Sequence, residues 1–239
     1  MTRLPTYFIS HGGGPWPWLA PMRRQFVTLE ASLKRMVVDL PERPRAVLVV
    51  SGHWEDDAFA VMGAANPPMV YDYYGFPPET YTITYPAPGA PDLAARTADL
   101  IAAAGLPTRI DPTQGFDHGT FAPLYIMFPD ADVPVYQVSL RKGYAPLEHL
   151  RLGRALAPLR DEGVMIVGSG LSYHNLRQFG PAARVPSEAF DACWSTTAAT
   201  PGTPWSASRA AACCAGSTRP TATTVVAGAP AAAQASSET

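Results

Sequence analysis

Cysteine is scarce in this chain: three in 239 residues, at positions 193, 213 and 214, and none in the first 190. Adjacent cysteines rarely pair with each other, so a disulfide framework is excluded and a reducing cytoplasm is the default location. Net charge is low and balanced, 18 Lys and Arg against 20 Asp and Glu. No basic stripe favours a nucleic-acid partner. No apolar run approaches the roughly 18 residues of a membrane span, so no membrane is expected. The start, Met1-Thr-Arg-Leu-Pro-Thr-Tyr7, has no basic region leading into a long apolar core, and no secretory leader is expected. The length fits one α/β domain, or at most two small ones. No internal repeat is visible.

The last 49 residues lack Leu, Ile, Met and Phe altogether, and 37 of them are Ala, Thr, Ser, Pro or Gly. Such a segment buries too little apolar surface to offset the entropy of ordering it. The chain therefore divides into a globular part, 1–190, and a low-complexity tail, 191–239. One reading of the tail is disorder. The other is a shift of reading frame near Ala192, because GC-rich DNA read out of frame yields Ala, Thr, Pro, Ser, Arg and Gly with stray Cys and Trp. With suitable codons, Pro220-Thr-Ala-Thr-Thr224 hides Asp-Gly-Asp-His in the neighbouring frame.

The globular part reads as strands alternating with helices. Thr6–Ser10, Ala46–Ser51, Ala58–Met62, Thr108–Ile110, Val133–Ser139 and Val164–Gly168 are expected strands. Ala46–Ser51 is a continuous apolar run, as in a strand covered on both faces. Gln25–Leu40 carries apolar residues at helical spacing, and Asp92–Ala104, Pro123–Phe128 and Pro146–Leu159 are expected helices. Asn66–Ala90, rich in Tyr, Pro and Gly, is expected to be a long loop. The fold class that follows is α/β, a single domain with a mostly parallel central sheet flanked by helices.

Four of the five histidines sit in glycine-flanked turns near strand ends: His11 in Ser10-His-Gly-Gly-Gly-Pro15, His53 in Ser51-Gly-His-Trp-Glu55, His118 in Gly115-Phe-Asp-His-Gly-Thr-Phe121, and His174 beyond Gly168-Ser-Gly170. Ligands of open α/β sheets bind outside the carboxyl ends of the strands, and imidazole is the commonest protein metal ligand. The glycines after His11 do not form a phosphate cradle, having neither a following Lys-Ser/Thr nor a GxGxxG pattern. Asp117 either orients His118 or simply makes a surface turn. His149 reads as an ordinary helix-face residue. Three histidines and a water suit catalytic zinc; two histidines and one further ligand suit non-haem Fe(II) with O2. The segment Tyr71-Asp-Tyr-Tyr-Gly-Phe76 either walls a pocket for a planar aromatic substrate or packs its loop onto the body.

Taken together and in order, these stretches resemble the class III extradiol ring-cleavage dioxygenases, in the DOPA-dioxygenase-like branch of the LigB superfamily. Tyr73-Tyr-Gly-Phe-Pro-Pro-Glu-Thr-Tyr81, Tyr85-Pro-Ala-Pro-Gly89, Met127-Phe-Pro-Asp-Ala-Asp132 and Gly168-Ser-Gly-Leu-Ser-Tyr-His-Asn-Leu176 complete the match, which covers about residues 5 to 190. The resemblance implies a LigB-like core, related to phosphorylase/hydrolase-like folds, and a mononuclear Fe(II) site, with zinc also possible. It implies insertion of O2 into a catechol-type substrate. His11 and His53 would be metal ligands. His174 would be a ligand or the catalytic acid/base, and His118 would contact the substrate or its oxygen-derived intermediate. Family members of this branch carry one more ligand histidine near their end. No histidine follows His174 here, so poor iron retention and weak ring cleavage are expected of the chain as written. The competing readings are a zinc-dependent hydrolase and an inactive remnant of a disrupted dioxygenase gene.

Overall fold

A computed structural model describes residues 2–171, 173 and 180–198. Six strands, β1 (Thr6–Ser10), β2 (Ala46–Asp56), β3 (Phe59–Met62), β4 (Thr108–Asp111), β5 (Val135–Arg141) and β6 (Val164–Gly170), form one sheet. Their spatial order is β1-β6-β2-β5-β3-β4. Every pairing is parallel except β3 with β5. Parallel strands covered on both faces need apolar side chains throughout rather than in alternation. Val47, Leu48, Val49 and Val50 of β2, and Val164, Met165, Ile166 and Val167 of β6, are accordingly all buried.

The principal helices are α1 (Ala20–Arg23), α2 (Val27–Val38), α3 (Pro91–Ala103), α4 (His118–Met127), α5 (Pro146–Leu156) and α6 (Arg184–Ala198). Helix α2 packs on α4, which lies on β2 and β6, while α3 packs on α5, β3 and β4. Helix α6 runs across the composition break at 190–191. No helix among the described residues is long and apolar enough to cross a membrane.

Two departures from the expected elements shape the site. Strand β2 continues past Ser51 to Asp56, and its register against β5 shifts between Val50, opposite Val138, and Glu55, opposite Leu140. The surplus residues on β2 bulge, and a bulge re-aims the side chains it carries; His53 is one of them. Helix α4 is also longer than Pro123–Phe128, because it starts at His118 with Asp117 as N-cap. The Asp117 carboxylate accepts from the Thr120 amide at 3.1 Å. Asp at that position satisfies an amide that the first helical turn leaves without a partner. Pro123, inside the helix, supplies no N–H for the Gly119 carbonyl four residues earlier. The Ser169 hydroxyl of β6 donates to that carbonyl instead. At the other end of α4, the Tyr85 hydroxyl donates to the Phe128 carbonyl at 3.0 Å. Both termini of the helix are therefore tied to the body.

Candidate metal centre

The strand order puts β6 between β1 and β2, with Ile9 and Ser51 both opposite Ser169. His11 leaves the end of β1 and His53 stands on the bulge of β2. Strands two places apart are separated by about 10 Å, so their side chains can meet only if the strand between them ends in small residues. Here β6 ends in Gly168-Ser-Gly170. Across that gap the Nε2 atoms of His11 and His53 approach to 3.2 Å. His118, the first residue of α4, completes the group. Its ring lies 4.1 Å from that of His53 and 5.0 Å from that of His11, centroid to centroid.

Two glycines allow this convergence. Gly12 has φ +75°, and a Cβ there would stand 2.5 Å from Trp16 Nε1. The buried Trp16 indole takes that space and donates to the His11 carbonyl at 2.8 Å, anchoring the turn after β1. A Cβ on Gly119 would meet Ser51 Oγ at 2.7 Å and His53 Cδ2 at 3.1 Å, so only glycine lets α4 come this close to the bulge.

The carboxylate beside the rings is Asp72. Its Oδ1 lies 2.8 Å from His118 Nδ1 and accepts from the His118 amide at 3.0 Å. Its Oδ2 lies 3.0 Å from His53 Nδ1. Burial pushes this carboxyl up, but hydrogen bonds from the two imidazoles and the amide outweigh it, and the group sits well below the ordinary carboxylate range. Asp117, the residue the sequence offered as orienting His118, does another job. It is buried, caps α4, and accepts from the Ser51 hydroxyl at 2.7 Å. Burial pushes its carboxyl up, with a further contribution from the charge of Asp72, and its Oδ2 has no hydrogen-bond partner among the described residues.

Among the described residues, His11, His53 and His118 form the one group able to hold a metal ion, their ligand atoms all lying within 4.8 Å of one another. Two nitrogens 3.2 Å apart, each about 2.0–2.1 Å from one ion, subtend roughly 100° there. That angle fits tetrahedral or octahedral coordination, so the residues present suit a divalent first-row metal. His174 lies outside the described residues. His149 is buried and remote in role: Nδ1 lies 2.9 Å from the Ala145 carbonyl, and Nε2 accepts from the Arg141 amide at 3.2 Å. Sequence reasoning singled out His11, His53 and His118 but missed Asp72. Its signal was weak, one acid inside a run of aromatics. Those aromatics do pack the loop, with Tyr71 donating to the Ile83 carbonyl at 2.6 Å and Tyr73 to the Thr80 carbonyl at 2.5 Å. Tyr73 also lies 5.9 Å from the His118 ring, so it borders the cluster.

Comparison with known proteins agrees with this geometry. Residues 8–197 match the family described as the catalytic LigB subunit of aromatic ring-opening dioxygenase. The chain is 45% identical over 179 residues to dioxygenase tasH of Hapsidospora irregularis, covering 72% of this chain and 55% of that protein. It is 39% identical over 201 residues to the 4,5-DOPA dioxygenase extradiol of Beta vulgaris, covering 82% and 73%. It is 41% identical over 182 residues to the 4,5-DOPA dioxygenase extradiol of Escherichia coli K12, covering 74% and 62%. The chain thus spans little more than half the length of the first of these relatives. A crystal structure of an uncharacterized Escherichia coli K12 protein superposes with a TM-score of 0.64 at 32% identity, covering 84% of this chain and 75% of that one. Four separated histidine motifs, one α/β sheet and a family match over most of the chain converge: the protein belongs to the LigB family of aromatic ring-opening dioxygenases, in its 4,5-DOPA extradiol dioxygenase-like branch.

Proposed function

We propose that the chain cleaves a catechol-type aromatic ring with O2, beside the two hydroxyls, using a single bound Fe(II). The observation that carries this reading is the approach of His11 and His53 Nε2 to 3.2 Å with His118 beside them. His11 and His53 hold the ion. When bound, Fe(II) supplies the redox chemistry through which O2 reacts with an aromatic ring, and zinc would supply Lewis acidity instead. His118 meets the substrate: its Nδ1–H is held by Asp72, which leaves Nε2 to take a proton from a catechol hydroxyl. Tyr73, whose ring lies 5.9 Å from that of His118, borders the place where a planar substrate would lie. His174 acts as a further ligand or as the acid that assists ring opening. Residues 1–190 form the catalytic domain in this reading, and the tail 191–239 contributes no ligand histidine.

Oxygen uptake tests the proposal. The full chain, loaded with Fe(II) under argon and given a catechol, is expected to consume O2 and form a yellow ring-opened product in air, at a rate limited by metal retention. His11→Ala and His53→Ala should abolish both. Stoichiometric Fe(II) binding with no O2 consumed across several catechols would overturn it. The three-imidazole donor set also favours a zinc hydrolase, and turnover that proceeds equally under argon would identify that activity instead.

A further inference from the structure

The carboxylate of Asp72 contacts two of the three clustered imidazoles. A carboxylate only accepts hydrogen bonds. Its Oδ2 faces His53 Nδ1 at 3.0 Å and its Oδ1 faces His118 Nδ1 at 2.8 Å. Each of those ring nitrogens must therefore carry the hydrogen. A neutral imidazole has a single N–H, so Nε2 of each ring keeps a lone pair. The Gly12 carbonyl, another pure acceptor, sits 2.9 Å from His11 Nδ1.

The carboxylate is itself held. The Val70 amide donates to the Phe116 carbonyl at 2.8 Å and the His118 amide donates to Asp72 Oδ1 at 3.0 Å. The flanking Tyr71 and Tyr73 hydroxyls fasten the loop to Ile83 and Thr80. The Asp72 side chain is only 18% exposed. Metal-binding histidines commonly gain their tautomer and ring orientation from such an outer carboxylate.

We propose that Asp72 is the positioning residue of the cluster, a single carboxylate that holds His53 and His118 in the Nδ1–H tautomer and aims both Nε2 lone pairs at one point. The consequence for metal affinity rests on the function proposed above; the tautomers do not. A purely structural Asp72, tethering its loop to the start of α4, would affect stability and leave the tautomers alone.

Asp72→Asn separates the two. The amide has one accepting oxygen and an NH2 that only donates, so it can accept from one imidazole and not from both. In the metal-free, 15N-histidine-labelled full chain, long-range proton–nitrogen spectra are expected to show His53 and His118 as Nδ1–H in the unsubstituted protein. One of them should move to Nε2–H in Asp72→Asn. Affinity for Zn(II), measured by competition with a chromophoric chelator, should fall about 10- to 100-fold. Asp72→Glu keeps two accepting oxygens, and it should retain both tautomers even if the asparagine variant does not fold. Unchanged tautomers in Asp72→Asn, Nε2–H rings in the unsubstituted protein, or equal Zn(II) affinity in both would overturn the positioning role. The expected tautomers in a protein that binds no Zn(II) would instead refute the metal site and leave the role of Asp72 standing.

Discussion

The Ser169 hydroxyl donates to the carbonyl oxygen of Gly119, the acceptor that Pro123 leaves without its helical N–H. The bond joins the end of β6 to the first turn of α4, and so joins the strand between His11 and His53 to the helix that carries His118. Ser169→Ala leaves a buried carbonyl unsatisfied and should cost about 1–3 kcal/mol. Pro123→Ala restores an N–H four residues after Gly119, so Ser169→Ala should cost less in that background. Urea denaturation of the four proteins of this cycle checks the prediction, and equal costs in both backgrounds would remove the link between the two residues.

Gly119→Ala places a methyl group 2.7 Å from Ser51 Oγ, 3.0 Å from Asp117 Oδ1 and 3.1 Å from His53 Cδ2. Three short, partly or fully buried neighbours cannot all yield, so α4 must move away from the bulge. The expected loss of stability is about 1–3 kcal/mol, read as a lower thermal midpoint. Weaker metal binding should accompany it, because His53 is one of the displaced neighbours. A variant with unchanged midpoint and affinity would show that the helix has room to spare.

His118→Ala removes the ring proposed to take a proton from the substrate. Turnover of a catechol should fall by about 10²- to 10⁴-fold, with metal content kept within error by elemental analysis. Loss of the metal together with the activity would make His118 a ligand, a place its ring already borders.

His149 supplies a pH-dependent contribution to stability away from the cluster. Burial lowers its pKa, and the Arg141 charge adds to that, against the opposing Ala145 bond and Glu148 charge. A group with a depressed folded pKa takes its proton in the unfolded chain first as pH falls. The stability associated with neutral His149 is therefore complete above about 6.5 and declines as pH drops from there through the folded value. His149→Gln, which keeps an acceptor for the Arg141 amide, should show a smaller drop in urea midpoint between pH 7.5 and 5.5 than the parent. Equal drops in both proteins would assign the pH dependence to other groups.

Much of this molecule is legible in its residues. Strand β2 announces itself as an unbroken apolar run, and α2 by apolar residues at helical spacing, the patterns that burial on both faces or on one stripe favours. The N-terminal turn of α4 was less legible. Asp117-His-Gly-Thr reads equally well as a surface turn, and only contact with Ser51 and Ser169 decides that it starts a buried helix. The bulge in β2 was likewise hidden, since Ser51-Gly-His-Trp marks the end of an apolar run without saying that pairing resumes at Glu55.

Composition and motif order by themselves determined the fold class, a set of four candidate histidines that includes the three that meet, and the oddity of the tail. Each depends on short-range facts: which residues are apolar, at what period, and which side chains can ligate. Tertiary structure alone decided that β6 lies between β1 and β2, that His11 and His53 therefore meet across the small residues at its end, and that Asp72 rather than Asp117 grips the rings. Several of those are relations between residues far apart in the chain, such as His11 with His53, 42 positions, and Ser51 with Asp117, 66 positions. The chain's local preferences do not encode them; strand order and packing do.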